Sequence, residues 1–192
     1  MNVPNKLSLF RVILVPIIVC VYVLDLQLVN LEVMDTILPV KNVIALVIFA
    51  IASFTDFLDG YIARKYQLIT SFGKFIDPIA DKLLVNTLFI LLAVSGEVSV
   101  VPVVIMIWRD TLVDGMRMMA AQKGVVVAAG IWGKLKTVLQ MFAIIFVLLS
   151  NVPFVAMNLP VDQILVYAAT LVSVISGVKY FMQMKEFIME SK

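Results

Sequence analysis

Four aspartates, Asp56, Asp59, Asp77 and Asp81, are the residues of this chain best suited by type and spacing to chemistry. The first two stand three apart and the last two four apart, and both intervals put side chains on one face of a helix. Gly60, Ala63, Arg64 and Gly73 lie between the pairs. Carboxylates are costly near hydrocarbon, so such a cluster calls for a compensating cation. The chain has no histidine and one cysteine, which excludes imidazole and thiolate metal sites. A metal held here must take oxygen ligands, which favours hard ions such as Mg2+, Mn2+ or Ca2+.

The elements that carry these acids are set in an apolar chain. Of 192 residues 62% are apolar and only 15% charged, against about 45–50% and 25% in soluble domains. With a mean hydropathy of +1.08, this predicts a polytopic all-α membrane protein, one domain over 1–192. Apolar runs predict six transmembrane helices, at about 7–29, 40–66, 75–94, 100–122, 132–150 and 161–187. Pro78 then falls in a first helical turn, where it is tolerated, and Asp77 also fits a helix N-cap. Residues 30–39 read as a polar loop, and Cys20 as a small core side chain. The first apolar run has no small-residue cleavage site after it, so it reads as a retained helix. A net charge of +2 does not suggest nucleic acid.

Six spans put both termini on one side, and the basic residues choose it. Lysines and arginines gather at the termini and at the 2–3 and 4–5 connections; only Lys41 falls opposite, with Asp25, Glu32, Asp35, Glu97 and Asp162. The positive-inside rule makes the termini and the four aspartates cytoplasmic, in a multi-pass plasma-membrane protein. Asp56 is sixteen residues past Val40, roughly 24 Å into a hydrocarbon layer of about 30 Å. That is headgroup level. A transporter would more often hold its key acid near the midplane.

From Asp56 the spacing reads D-x-x-D-G-x-x-A-R-x8-G-x-x-x-D-x-x-x-D. This resembles the signature of the CDP-alcohol phosphotransferase family of membrane enzymes. The flanks carry the resemblance over nearly the whole chain: residues 2–11, NVPNKLSLFR; 108–121, WRDTLVDGMRMMAA; and 133–141, GKLKTVLQM. They resemble the bacterial branch whose acceptor is glycerol 3-phosphate. One departure is Asp110, where that branch often has glutamate; the charge is kept.

The resemblance implies attack by the acceptor hydroxyl on the lipid-side phosphate of CDP-diacylglycerol, with CMP leaving. It implies two divalent ions, Mg2+ or Mn2+, at Asp56, Asp59, Asp77 and Asp81. Asp81 is also implied as general base, and the sequence leaves the balance between its two roles open. Asn5, Thr55, Gly60, Ala63, Arg64 and Gly73 are expected around the CDP-lipid, the small residues letting the nucleotide approach the backbone. Read bottom-up, the same small residues also suit close helix packing. Arg109, Arg117, Lys134 and Lys136 are candidates for the acceptor phosphate. Asp110 and Asp114 could instead pair with Arg109 or Arg117. The family also implies a homodimer. Acceptors of other branches (for cardiolipin, phosphatidylserine or inositol phosphate) share the aspartate motif, and a cation transporter is the reading from another class.

Overall fold

The computed structural model describes residues 2–24, 30–34, 36–67, 70–122, 124 and 130–189, with backbone alone at 3, 64, 71, 74 and 186–189. Asp25, Asp35, Lys123 and Lys192, which entered the charge reading, lie outside the described residues. Six long helices follow one another: α1 (Val3–Val23), α2 (Val40–Lys65), α3 (Ser71–Val94), α4 (Val100–Gln122), α5 (Ile131–Leu148) and α6 (Val161–Met189). Four of them, over Pro4–Val23, Val40–Ala63, Ile131–Leu148 and Val161–Lys185, are long and apolar enough to cross a membrane. The acids and bases of α3 and α4 keep those two out of that set. The chain is therefore an all-α fold of membrane type.

The burial pattern agrees with such a setting. Ile13, Ile17, Leu112, Phe142, Leu171 and Phe181 are exposed, while Arg11, Asp59, Asp110, Lys136 and Gln140 are buried. Hydrocarbon is the medium in which an apolar exterior costs nothing, while polar groups must find partners inside the bundle.

Helix starts differ from the sequence reading for identifiable reasons. The Asn2 side chain accepts from the Asn5 N–H, with Pro4 in the first turn, so α1 begins earlier than residue 7. Thr70 caps the Gly73 N–H, which moves the start of α3 back to Ser71. Pro78 therefore lies two turns into the helix, and Asp77 is no cap; its carboxylate is free for other work. The 30–39 segment is a short antiparallel hairpin, β1 (Leu31–Val33) and β2 (Thr36–Leu38), with Leu31 opposite Leu38 and Val33 opposite Thr36. Its β-branched and apolar residues suit pairing better than a loop, and Met34 after β1 has a positive φ of 50°. Cys20 is exposed on α1 rather than in the core.

The helices pack as two groups of three. In the first, α1 packs on both α2 and α3, which touch each other little; in the second, α6 holds the same place between α4 and α5. Contacts of α3 with α4 and α5, and of α2 with α5, join the groups. A core of Leu14, Ile18, Phe49, Leu88, Phe89, Met106, Ile144, Leu148 and Val166 runs through both. Because the helices alternate in direction, the ends of α2, α4 and α6 and the starts of α1, α3 and α5 share one end of the bundle. Every site residue predicted from sequence lies in one of those half-helices except Arg109, which sits near the middle of α4.

Candidate active site

The wedge position of α1 decides the geometry of the acidic cluster. Asn5, Ser8 and Arg11 recur every three residues on α1 and form one inward face. All three are buried, Arg11 to 1% exposure. Arg11 Nη1 donates to Asp56 Oδ1 and to Asp81 Oδ1. Its Nη2 donates to Asp59 Oδ2 at 2.7 Å and lies 3.7 Å from Asp77 Oδ1. Ser8 Oγ donates to Asp77 Oδ1 at 2.5 Å, with Asp59 Oδ2 at 3.5 Å and the Pro4 carbonyl at 3.0 Å. The two aspartate pairs thus meet across α1, through one guanidinium.

Access is asymmetric. Asp59 is buried, but Asp56, Asp77 and Asp81 keep 47%, 43% and 48% of their side chains exposed. Three carboxylates thus keep an exposed face while the guanidinium they share is enclosed. Four negative charges face one positive charge, an excess of three that a divalent cation would reduce. Among the described residues no three acidic side chains form a ready cage, since the oxygens turn toward the guanidinium instead. An all-carboxylate donor set gathered on one cation fits hard divalent ions in chemistry. Asp56, Asp59, Asp77 and Asp81 would hold them.

Beside the cluster, Thr70 Oγ donates to Asn5 Oδ1 at 2.9 Å and accepts the Gly73 N–H at 3.0 Å. A Cβ on Gly73 would sit 3.0 Å from Asn5 Oδ1, 3.2 Å from Thr70 Oγ1 and 3.8 Å from Asp77 Oδ2. Gly73 is thus a position of close approach between α3 and α1, next to a carboxylate of the cluster. Thr55 is buried, with its hydroxyl donating to Ala52 O at 2.8 Å. Gly60 and Ala63 follow on α2, and the Arg64 side chain lies outside the described residues.

The four acceptor candidates separate. Arg109 and Lys136 converge on buried Asp110: Lys136 Nζ donates to both its oxygens at 2.6 and 2.5 Å, and Arg109 Nη1 to Oδ1 at 2.9 Å. Arg109 Nη2 also donates to Ser176 Oγ at 2.5 Å, and the guanidinium lies 5.6 Å from the Tyr180 ring centroid. Gly177 makes room for this, because a Cβ there would stand 3.0 Å from Arg109 Cγ. Arg117 borders a groove of about 750 Å³ between α3 and α4, with Pro78, Asn86, and the ion pair of Lys82 with Asp114. Lys134 is exposed in the first turn of α5.

Sequence reasoning missed Arg11, Ser8 and Thr70 as members of the site. The Asn5–Ser8–Arg11 ladder was the available signal, and Arg11 had been absorbed into the tally of cytoplasmic charge.

Comparison with known proteins gives the chain's family. The family model for CDP-alcohol phosphatidyltransferase matches residues 1–175. A CDP-diacylglycerol–glycerol-3-phosphate 3-phosphatidyltransferase of Bacillus subtilis (strain 168) is 41% identical over 180 residues, 94% of this chain and 93% of that one. Proteins of the same name from Rickettsia bellii (strain RML369-C) and Haemophilus influenzae (strain ATCC 51907 / DSM 11121 / KW20 / Rd) are each 36% identical. They match over 190 residues (97% of both chains) and 147 residues (74% of this chain, 73% of the other). The chain belongs to the CDP-alcohol phosphatidyltransferase family.

Proposed function

From that membership we propose that this protein transfers the phosphatidyl group of CDP-diacylglycerol to glycerol 3-phosphate, giving phosphatidylglycerophosphate and CMP. The observation that carries the reading is the convergence of Asp56, Asp59, Asp77 and Asp81 at one end of the bundle, three of them open to the outside. In the transfer a bond forms between the acceptor oxygen and the lipid-side phosphorus, and the bond to the CMP oxygen breaks. The pyrophosphate is anionic and so repels the acidic cluster. Divalent ions, two of Mg2+ or Mn2+ in our reading, would supply the charge neutralisation and polarise phosphate oxygens.

The rest falls to the chain's own side chains. Asp81, half exposed, takes the proton of the acceptor hydroxyl. Asn5, Thr55, Gly60, Ala63, Arg64 and Gly73 line the path of the CDP moiety, with Gly73 keeping α3 close to α1. Arg117 and Lys134 offer cationic partners for the acceptor's phosphate, as do Arg109 and Lys136 where the ligand displaces their bonds to Asp110. Six membrane crossings with cytoplasmic termini are supported by the charge asymmetry and by the alternating helix directions. They put this end at the cytoplasmic headgroup layer of the plasma membrane, where both substrates meet. The homodimer rests on the family resemblance alone.

The test is metal-dependent CMP release by purified protein given CDP-diacylglycerol and glycerol 3-phosphate, in parent and Asp81→Asn. Loss of about 10²-fold or more in the variant is expected. Full activity would remove Asp81 from the base role, and CMP release only with a different alcohol would overturn the acceptor assignment.

A further inference from the structure

We propose that Arg11 is a displaceable resident cation: it holds the four carboxylates together before divalent metal arrives, and competes with metal for their oxygens. The inference rests on the reading of those carboxylates as the metal site. Three observations carry it. The guanidinium engages inward oxygens of Asp56, Asp59 and Asp81, and lies within ion-pair distance of Asp77. These are oxygens that a shared metal ion would also need. Arg11 is attached incompletely, because its buried Nε has no hydrogen-bond partner. A buried donor left unpaired weakens the hold of the resident position. Finally, Asp77 has a second donor in Ser8, so one member of the cluster stays in place without Arg11.

Such a cation does two opposite things. It screens mutual repulsion in the metal-free protein, so α2 and α3 stay docked on α1 and the site is formed in advance. It also lowers apparent metal affinity, because metal binding must first break its bonds. Linkage makes the effect reciprocal: metal weakens the hold on Arg11 by the factor by which Arg11 weakens metal binding.

The experiment uses the full chain in detergent, with Mn2+ alone as probe. Calorimetric titration of Arg11→Met should show tighter Mn2+ binding than the parent, by about 5–150-fold. The metal-free unfolding midpoint of the variant should be lower, and its rise on adding Mn2+ larger. In the parent, saturating Mn2+ should increase modification of Arg11 by phenylglyoxal, read by mass spectrometry with Arg109 as internal reference. Equal or weaker Mn2+ binding by the variant overturns the competition while leaving the metal site standing. Arg11 labelling indifferent to Mn2+ does the same, and decides alone if the variant does not fold without metal. No Mn2+ binding by either protein removes the metal site and this proposal with it.

Discussion

Asp110→Asn tests whether the second polar cluster holds cations in reserve for an anionic ligand. Asp110 is buried and takes two bonds from Lys136 Nζ and one from Arg109 Nη1. The asparagine keeps the shape and one acceptor oxygen but removes the charge that both cations face. Removing one partner of a buried pair costs about 3–5 kcal/mol, because the remaining charge is left uncompensated. At about 2–4 °C per kcal/mol for a chain of this size, the unfolding midpoint should fall on the order of 10 °C. If Lys136 and Arg109 can reach the phosphate of glycerol 3-phosphate, that dianion supplies the missing charge. The ligand should then raise the midpoint of Asp110→Asn by more than it raises that of the parent, while glycerol raises neither. The assay is thermal unfolding in detergent with and without ligand. Equal ligand-induced shifts in the two proteins would refute the reasoning and leave Asp110, Arg109 and Lys136 as a purely internal ion cluster.

Other outcomes can be stated more briefly. Gly73→Ala gains about 1 kcal/mol in helix propensity but forces Asn5 and Thr70, which bond one another, to give way at a cost of about 1–3 kcal/mol. A small net loss in unfolding midpoint and a raised KM for CDP-diacylglycerol are expected; a stabilised variant with unchanged kinetics counts against the close approach. Arg117→Ala and Lys134→Ala should each raise KM for glycerol 3-phosphate about tenfold and move KM for the CDP-lipid less. Unchanged acceptor kinetics in both would release them from that role. At the opposite end of the bundle, burial holds the Glu97 carboxyl above its ordinary range, against the lowering effects of the Asn42 amide and of Lys41. The folded protein therefore keeps the Glu97 proton longer than the unfolded chain, and stability is lost as pH rises from about 4 upward. Glu97→Gln can still accept from Asn42, so its stability relative to the parent should improve as pH rises above about 4 and level off once the folded carboxyl has lost its proton. A difference that stays constant from pH 4 upward would contradict the assignment.

The aspartates were legible because their signal is local: the intervals 56–59 and 77–81 each mark one helix face, and charge near hydrocarbon has few uses. Helices α4 and α6 could be read from apolar runs flanked by Pro and polar residues. The start of α3 was not, because Thr70 caps it from a stretch that reads as loop, and Pro78 suggests a first turn. Arg11 was missed for a different reason. Its partners lie 45 to 70 residues away and meet it only because α1 lies between α2 and α3, an arrangement no short window encodes. Asp110 was legible as a partner for Arg109, its neighbour in the chain, but Lys136, 26 residues away on α5, joins the same carboxylate only through packing.

The wedge of α1 also bears on how the chain is made. If α1 and α2 cross the membrane as proposed, Arg11 precedes its partners there, and an unpaired arginine next to hydrocarbon is costly. Asp56 and Asp59 follow on α2 and can neutralise it while α3 is still being synthesised. The α1–α2 pair is thus the smallest piece whose buried charges balance, and a ribosome-bound intermediate long enough for Lys65 to have left the exit tunnel should already be held in the membrane as a helical hairpin.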